Sequence, residues 1–113
     1  MIQIYHNPRC GKSRECLALL EKSGQDYQIV KYLEDVPTFD ELKETIKKLG
    51  IKPIELVRRK EKIWMENFQD KPLSDDEIIH AMISNPILVE RPIVINGDKA
   101  IVARPVEKIT AVL

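Results

Sequence analysis

Tyr5-His6-Asn7-Pro8-Arg9-Cys10-Gly11-Lys12-Ser13-Arg14 is the stretch whose reading decides the fold. Upstream of it, Ile2-Gln3-Ile4-Tyr5 alternates and carries β-branched residues, the pattern of a short strand that the Asn7-Pro8 loop signal ends. Downstream the period changes: Cys16, Leu17, Leu19 and Leu20 share one broad helical stripe, which Gly24 can close in the left-handed conformation. Cys10 therefore falls in a strand-to-helix turn, at or just before the first helical turn.

A helix N-terminus presents unpaired N–H groups and a partial positive charge, and both favour an anion. A thiolate is an anion. Arg9, Lys12 and Arg14 crowd the position and push in the same direction, and the Ser13 hydroxyl, three residues on, is placed to donate to the sulfur. The competing role for Cys10 is that of a small buried hydrophobe, but a polar turn between Arg9 and Gly11-Lys12 is a poor place for a core residue. Cys10 is expected to be a nucleophile.

Outward from the turn, Tyr27-Gln28-Ile29-Val30-Lys31-Tyr32-Leu33 alternates loosely and predicts a second strand. Strand, helix and strand make a βαβ unit with parallel strands, and Cys10 then lies at the C-terminal edge of the first strand, where open α/β sheets place their sites. Thr38-Phe39-Asp40-Glu41 is a capping box for a helix with Leu42, Ile46 and Leu49 on its inner face. Pro53 is expected to start a short helix that turns Ile54 and Val57 inward. Ser74-Asp75-Asp76-Glu77 is a second capping box, followed by Ile78, Ile79, Met82 and Ile83 and stopped at Asn85-Pro86. Pro92 to Asn96 reads as a strand entering an Asn96-Gly97 hairpin turn, and Ala100-Ile101-Val102-Ala103 as its return. Pro105 opens a last helix with Val106, Ile109 and Val112 or Leu113 inside. The expected architecture is α/β: a four-stranded mixed sheet in a single domain, 1–113, with a helical insertion at about 38–84 between βαβ and ββα halves.

A chain of 113 residues with 43 % hydrophobic content can bury one core but not two. Its 18 basic and 18 acidic residues cancel, so no overall field draws it to nucleic acid or to an anionic membrane, and any anion site must be local. No apolar stretch approaches a membrane span and no signal-peptide layout opens the chain, so a cytoplasmic protein with reduced thiols is expected. Cys16 is a poor resolving thiol for Cys10. Six residues along a helix is a rise of about 9 Å, whereas a disulfide needs Cα atoms within about 7 Å. It fits the core stripe instead. Ser13 replaces the second cysteine of a Cys-x-x-Cys pair, and no zinc spacing or nucleotide-binding fingerprint is present.

The cysteine turn resembles the active-site stretch of the glutaredoxin-dependent arsenate reductases of the ArsC type, and the resemblance runs on to Asn85-Pro86-Ile87-Leu88-Val89-Glu90-Arg91-Pro92-Ile93-Val94 and Ala103-Arg104-Pro105. It implies a thioredoxin-like fold, and arsenate reduction through a Cys10 thiolate adduct resolved by glutathione and glutaredoxin. It also implies that Arg58, Arg91 and Arg104 hold the oxyanion, that His6 tunes the thiolate, and that Arg91-Pro92 is a cis bond with Pro92 against the cysteine. Guanidinium suits the arginine role, being charged at any relevant pH and forked to fit a tetrahedral oxyanion. Arg58, however, sits in Arg58-Arg59-Lys60-Glu61-Lys62, which reads equally well as a solvated face, and a lone histidine such as His6 is often structural. No metal or bound cofactor is implied; glutathione is a co-substrate, and a monomer is expected. Lys12 departs from the resemblance, standing where the best-matched reductases usually carry a small hydroxyl residue. That departure leaves open a redox-sensing or partner-binding protein glutathionylated at Cys10, or a glutaredoxin-like thiol transferase.

Overall fold

The structure, a computed structural model, describes residues 1–113. Two compact units divide the chain: Met1–Asp35 with Arg91–Leu113, and Val36–Glu90.

The first unit is built on four strands, β1 (Ile2–Tyr5), β2 (Tyr27–Val30), β3 (Ile93–Asn96) and β4 (Lys99–Val102), in the order β2-β1-β3-β4. β1 is parallel to β2 and antiparallel to β3, which is antiparallel to β4. This is the thioredoxin-like arrangement. Ile2 and Ile4 are buried around half-buried Gln3, whereas central β3 is buried at Ile93, Val94 and Ile95 in succession. Helix α1 (Gly11–Ser23) buries Ser13, Cys16 and Leu20 and ends where Gly24 takes φ +73°. Ile2, Ile4, Cys16, Leu20, Val94 and Ile109 are part of one apolar cluster, so Cys16 is a core residue.

Three expectations in this unit are corrected. β2 stops at Val30 rather than Leu33: the Val30 carbonyl accepts from both His6 and Tyr32 N–H, the chain turns out of the ladder, and buried Tyr32 stacks on Tyr5 with ring centroids 6.1 Å apart. The hairpin pairs Asn96 with Lys99, so its two-residue loop is Gly97-Asp98, one residue later than Asn-Gly, and Gly97 supplies the positive φ (+62°) at the first loop position. The last helix is a 3-10 segment, Val106–Ala111. Its buried residues Val106 and Ile109, with buried Val112 just past its end, are spaced by three, the period of a 3-10 helix, and Leu113 is exposed.

The second unit holds α2 (Phe39–Leu49), α3 (Lys62–Asn67) and α4 (Asp75–Ser84). Both capping boxes form: the Thr38 hydroxyl accepts from Glu41 N–H while the Glu41 carboxylate accepts from Thr38 N–H, and Ser74 and Glu77 repeat the exchange. Pro53–Leu56 is a 3-10 turn that buries Pro53 and Leu56, with Val57 after it, and leaves Ile54 half-buried. The expectation holds for Val57, which is buried, whereas the face of the turn that packs inward is the one carrying Pro53 and Leu56, three residues apart. α3 follows no sequence expectation; buried Trp64 anchors it and stacks on Phe68. Val57 and Val89 form an isolated antiparallel bridge in this unit. No helix of the chain is long and apolar enough to cross a membrane.

Candidate active site

Strand register gathers the candidate residues of the first unit. Tyr5 pairs with Ile93, and Ile93 with Val102. The turn that follows Tyr5, the Arg91-Pro92 step that precedes Ile93 and the Ala103-Arg104 step that follows Val102 therefore leave the sheet at one end. Arg104 Nη1 donates to the Arg91 carbonyl at 3.1 Å, and Ala103 N–H donates to the Pro92 carbonyl at 2.9 Å. Arg91 and Pro92 are buried. Arg91-Pro92 is cis, and so is Arg104-Pro105, which carried no expectation.

The cysteine turn is fixed by its own polar groups. Asn7 Oδ1 accepts from Arg9 N–H at 3.0 Å, and the Asn7 carbonyl accepts from Cys10 N–H at 2.9 Å. Arg14 reaches back so that Nη1 donates to the Pro8 carbonyl at 2.9 Å, while its N–H makes the first helical bond, to the Cys10 carbonyl. Cys10 is consequently the N-cap of α1, extended at φ −93° and ψ 121°. Its side chain caps no first-turn amide, and no acidic residue lies in that turn. Cys10 is half-buried, and both cysteines are free. Cys16 differs in kind: it is fully buried, and burial pushes its thiol up to about 11.

Ser13, fully buried, forms the floor of the turn. Its hydroxyl accepts from Asn7 N–H at 3.0 Å and lies 2.7 Å from His6 Nδ1, so the group expected to reach the sulfur is engaged with His6 and Asn7. Burial, and then the charges of Lys31 and Arg14, hold the His6 imidazole below its ordinary value against an opposing hydrogen bond with Ser13. A neutral His6 pins the turn and brings no positive charge to it. Lys12 is exposed, its ammonium 3.8 Å from Glu15.

Arg58 belongs to the second unit. It is no solvated side chain: about a quarter of it is exposed, Nη1 lies 2.9 Å from Glu61 Oε1, and Nε lies 3.8 Å from Glu90 Oε1. Neither acid was expected from the sequence. The Arg58 to Glu61 spacing of three was readable there, whereas the Glu90 contact depends on the Val57–Val89 bridge, which only folding creates. The chemistry available at the sheet end is thus a half-buried cysteine before uncapped first-turn amides, in the same unit as two linked arginines, an arrangement suited to nucleophilic attack on an anion.

Residues 5–112 match the pattern of the ArsC family. An arsenate reductase of Neisseria meningitidis is 45 % identical over 99 % of this chain and 97 % of its own length. The arsenate reductase of Escherichia coli is 38 % identical over 99 % of this chain and 80 % of its own. Among solved structures, that of the arsenate reductase from Vibrio cholerae superposes with a TM-score of 0.94 at 45 % identity, covering 99 % of this chain and 97 % of that one. Since that match takes in the cysteine turn, the Arg91-Pro92 step and Arg104 alike, the chain belongs to the ArsC family.

Proposed function

We propose that this protein reduces arsenate to arsenite through an adduct on Cys10, with glutathione and glutaredoxin as the thiol donors. The observation that supports it most is the placement of Cys10 at the N-cap of α1, on the strand end shared with Arg91 and Arg104. The Cys10 thiolate attacks arsenic(V), an S–As bond forms, and one oxygen leaves as water. Arg91 and Arg104 neutralise the oxyanion, with Arg58 as a third ligand. A glutathione thiolate then attacks the Cys10 sulfur. The S–S bond forms as the S–As electron pair passes to arsenic, which departs as arsenite. Two thiols have supplied two electrons, and Cys10 is left as a mixed disulfide. A glutaredoxin thiolate takes over the glutathione and frees Cys10. His6, Ser13 and Pro92 act as positioning residues around the turn. All the named residues lie on one chain, so a monomer in a reducing cytoplasm suffices.

Steady-state arsenate reduction with glutathione and glutaredoxin supplied tests this reading. Turnover is expected in the wild type and in Cys16→Ser, and none in Cys10→Ser. A wild-type protein that is glutathionylated at Cys10 yet turns over no arsenate would overturn it in favour of redox sensing. Deglutathionylation of protein mixed disulfides without arsenate turnover would point to a thiol transferase.

A further inference from the structure

The second unit contains a charge cluster built by backbone rather than by chance meeting of surface side chains. Arg58 N–H donates to the Leu88 carbonyl at 2.7 Å and Glu90 N–H donates to the Leu56 carbonyl at 2.8 Å, one bond on each side of the Val57–Val89 bridge. In such a pair, the residues flanking the bridge on both strands share the face opposite to the bridge residues, so Arg58 and Glu90 are diagonal neighbours. Glu61 comes from a different direction: its N–H donates to the Arg58 carbonyl at 3.1 Å, and that turn returns its carboxylate to the guanidinium. At 2.9 Å the Glu61 contact is a charge-assisted hydrogen bond, while Glu90 at 3.8 Å is a Coulombic contact only. All three side chains are between a quarter and a third exposed, so the pairs are less screened than those of the open surface.

We propose that Glu61 and Glu90 form a carboxylate latch on Arg58, which aims the guanidinium and must be displaced, at Glu61 above all, before Arg58 can take an oxyanion. This rests on the reading of Arg58 as an oxyanion ligand. An anion binding to Arg58 competes with a carboxylate already on Nη1, so the affinity of the protein for its oxyanion is set partly by how firmly Glu61 holds on. Glu61 and Glu90 are positioning residues in this scheme, and deleting one of their charges strengthens binding, the reverse of what loss of a structural contact does.

The test is calorimetric titration of arsenate into Cys10→Ser protein, in which no adduct forms. Glu61→Gln is expected to tighten the arsenate Kd about two- to fivefold, the range of a partly exposed ion pair. Glu90→Gln, at the longer distance, is expected to tighten it less. Both gains should vanish when Arg58 is replaced by alanine. Glu66→Gln, which removes the same charge from the exposed Lys62 pair in α3, is expected to leave Kd unchanged. If Glu61→Gln leaves Kd unchanged or weakens it while Arg58→Ala weakens it, the latch is wrong and Arg58 remains an oxyanion ligand. If Arg58→Ala does not alter Kd, Arg58 is no ligand and the latch falls with it. Thermal melts check folding; should Glu61→Gln melt early, Glu90→Gln and Glu61→Asp, which shortens the reach, carry the same comparison.

Discussion

Alkylation of the two cysteines by iodoacetamide as pH is raised separates their roles without any assay of turnover. Only thiolate reacts. With the Cys16 thiol pushed to about 11, its thiolate fraction is about 0.1 % at pH 8, whereas an ordinary free thiol with pKa near 8.5 is about one quarter ionised there. Ionisation alone therefore slows Cys16 about 200-fold relative to free cysteine, and its complete burial among Ile4, Leu20 and Val94 slows it further. Between pH 8 and pH 10 the Cys16 thiolate fraction rises to about 9 %, so its labelling should accelerate nearly tenfold per pH unit while a free thiol levels off. Peptide mapping after timed quenching reads both sites in one sample, and Cys10, half-buried at the helix start, is expected to take the label first. Labelling of Cys16 at pH 8 within tenfold of the free-cysteine rate would refute the assignment of Cys16 to the core. The same shift has a stability consequence. The folded thiol is raised to about 11, so from the ordinary thiol range towards pH 11 the unfolded chain loses this proton first and the native state loses up to about 3 kcal/mol relative to a Cys16→Ala variant measured alongside.

Arg91→Lys and Arg104→Lys keep charge but lose the fork, and steady-state rates should fall by about 10²–10³ with the melting profile retained. Arg58→Lys is expected to reduce rate if Arg58 holds the oxyanion, and Arg59→Lys to leave it unchanged, since an exposed charge contributes little; equal, modest effects at all four positions would contradict an arginine-lined pocket. Ser13→Ala strips a buried partner from Asn7 N–H and from His6 Nδ1 and should cost about 1–3 kcal/mol by urea denaturation. If stability is unchanged and only the alkylation rate of Cys10 drops, the hydroxyl serves the sulfur and not the floor of the turn.

What could be read from the sequence was what is decided locally. The switch of hydrophobic period at Gly11, the glycine at 24 and the two capping boxes set the starts or ends of α1, α2 and α4 because caps involve residues within one turn of each other. Cys10 was visible as chemistry at an element border for the same reason, whereas the role expected of Arg91 and Arg104, at other such borders, came from the family resemblance. That those borders meet at one end follows only from the strand order β2-β1-β3-β4, which rests on pairings across some ninety residues. The misses mix local and tertiary causes. Tyr32 leaves β2 because Tyr5 offers a ring to stack on, the hairpin loop slides one residue because Asn96 pairs with Lys99, and α3 exists because Trp64 has somewhere to be buried. Glu90 is a tertiary case: its contact with Arg58 joins residues more than thirty apart in the chain, which only the Val57–Val89 bridge brings together.

The two cysteines show how one helix imposes a chemistry on its protein. α1 begins directly after Cys10 and carries Cys16 one and a half turns in, on the face that packs against Ile4 and Val94. Helix geometry sets the two apart along the axis by about 9 Å, beyond the reach of a disulfide of about 7 Å between Cα atoms. Packing then removes the remaining freedom, because a thiol pushed to about 11 is not a nucleophile at neutral pH even if the helix end frays. A sulfur at Cys10 that gives up electrons must complete its disulfide with a thiol from another molecule. In the proposed reaction, dependence on an external thiol is thus set first by the geometry of α1, and a substitution that frees Cys16 alone would not lift it, since the rise of the helix would still hold the two sulfurs apart.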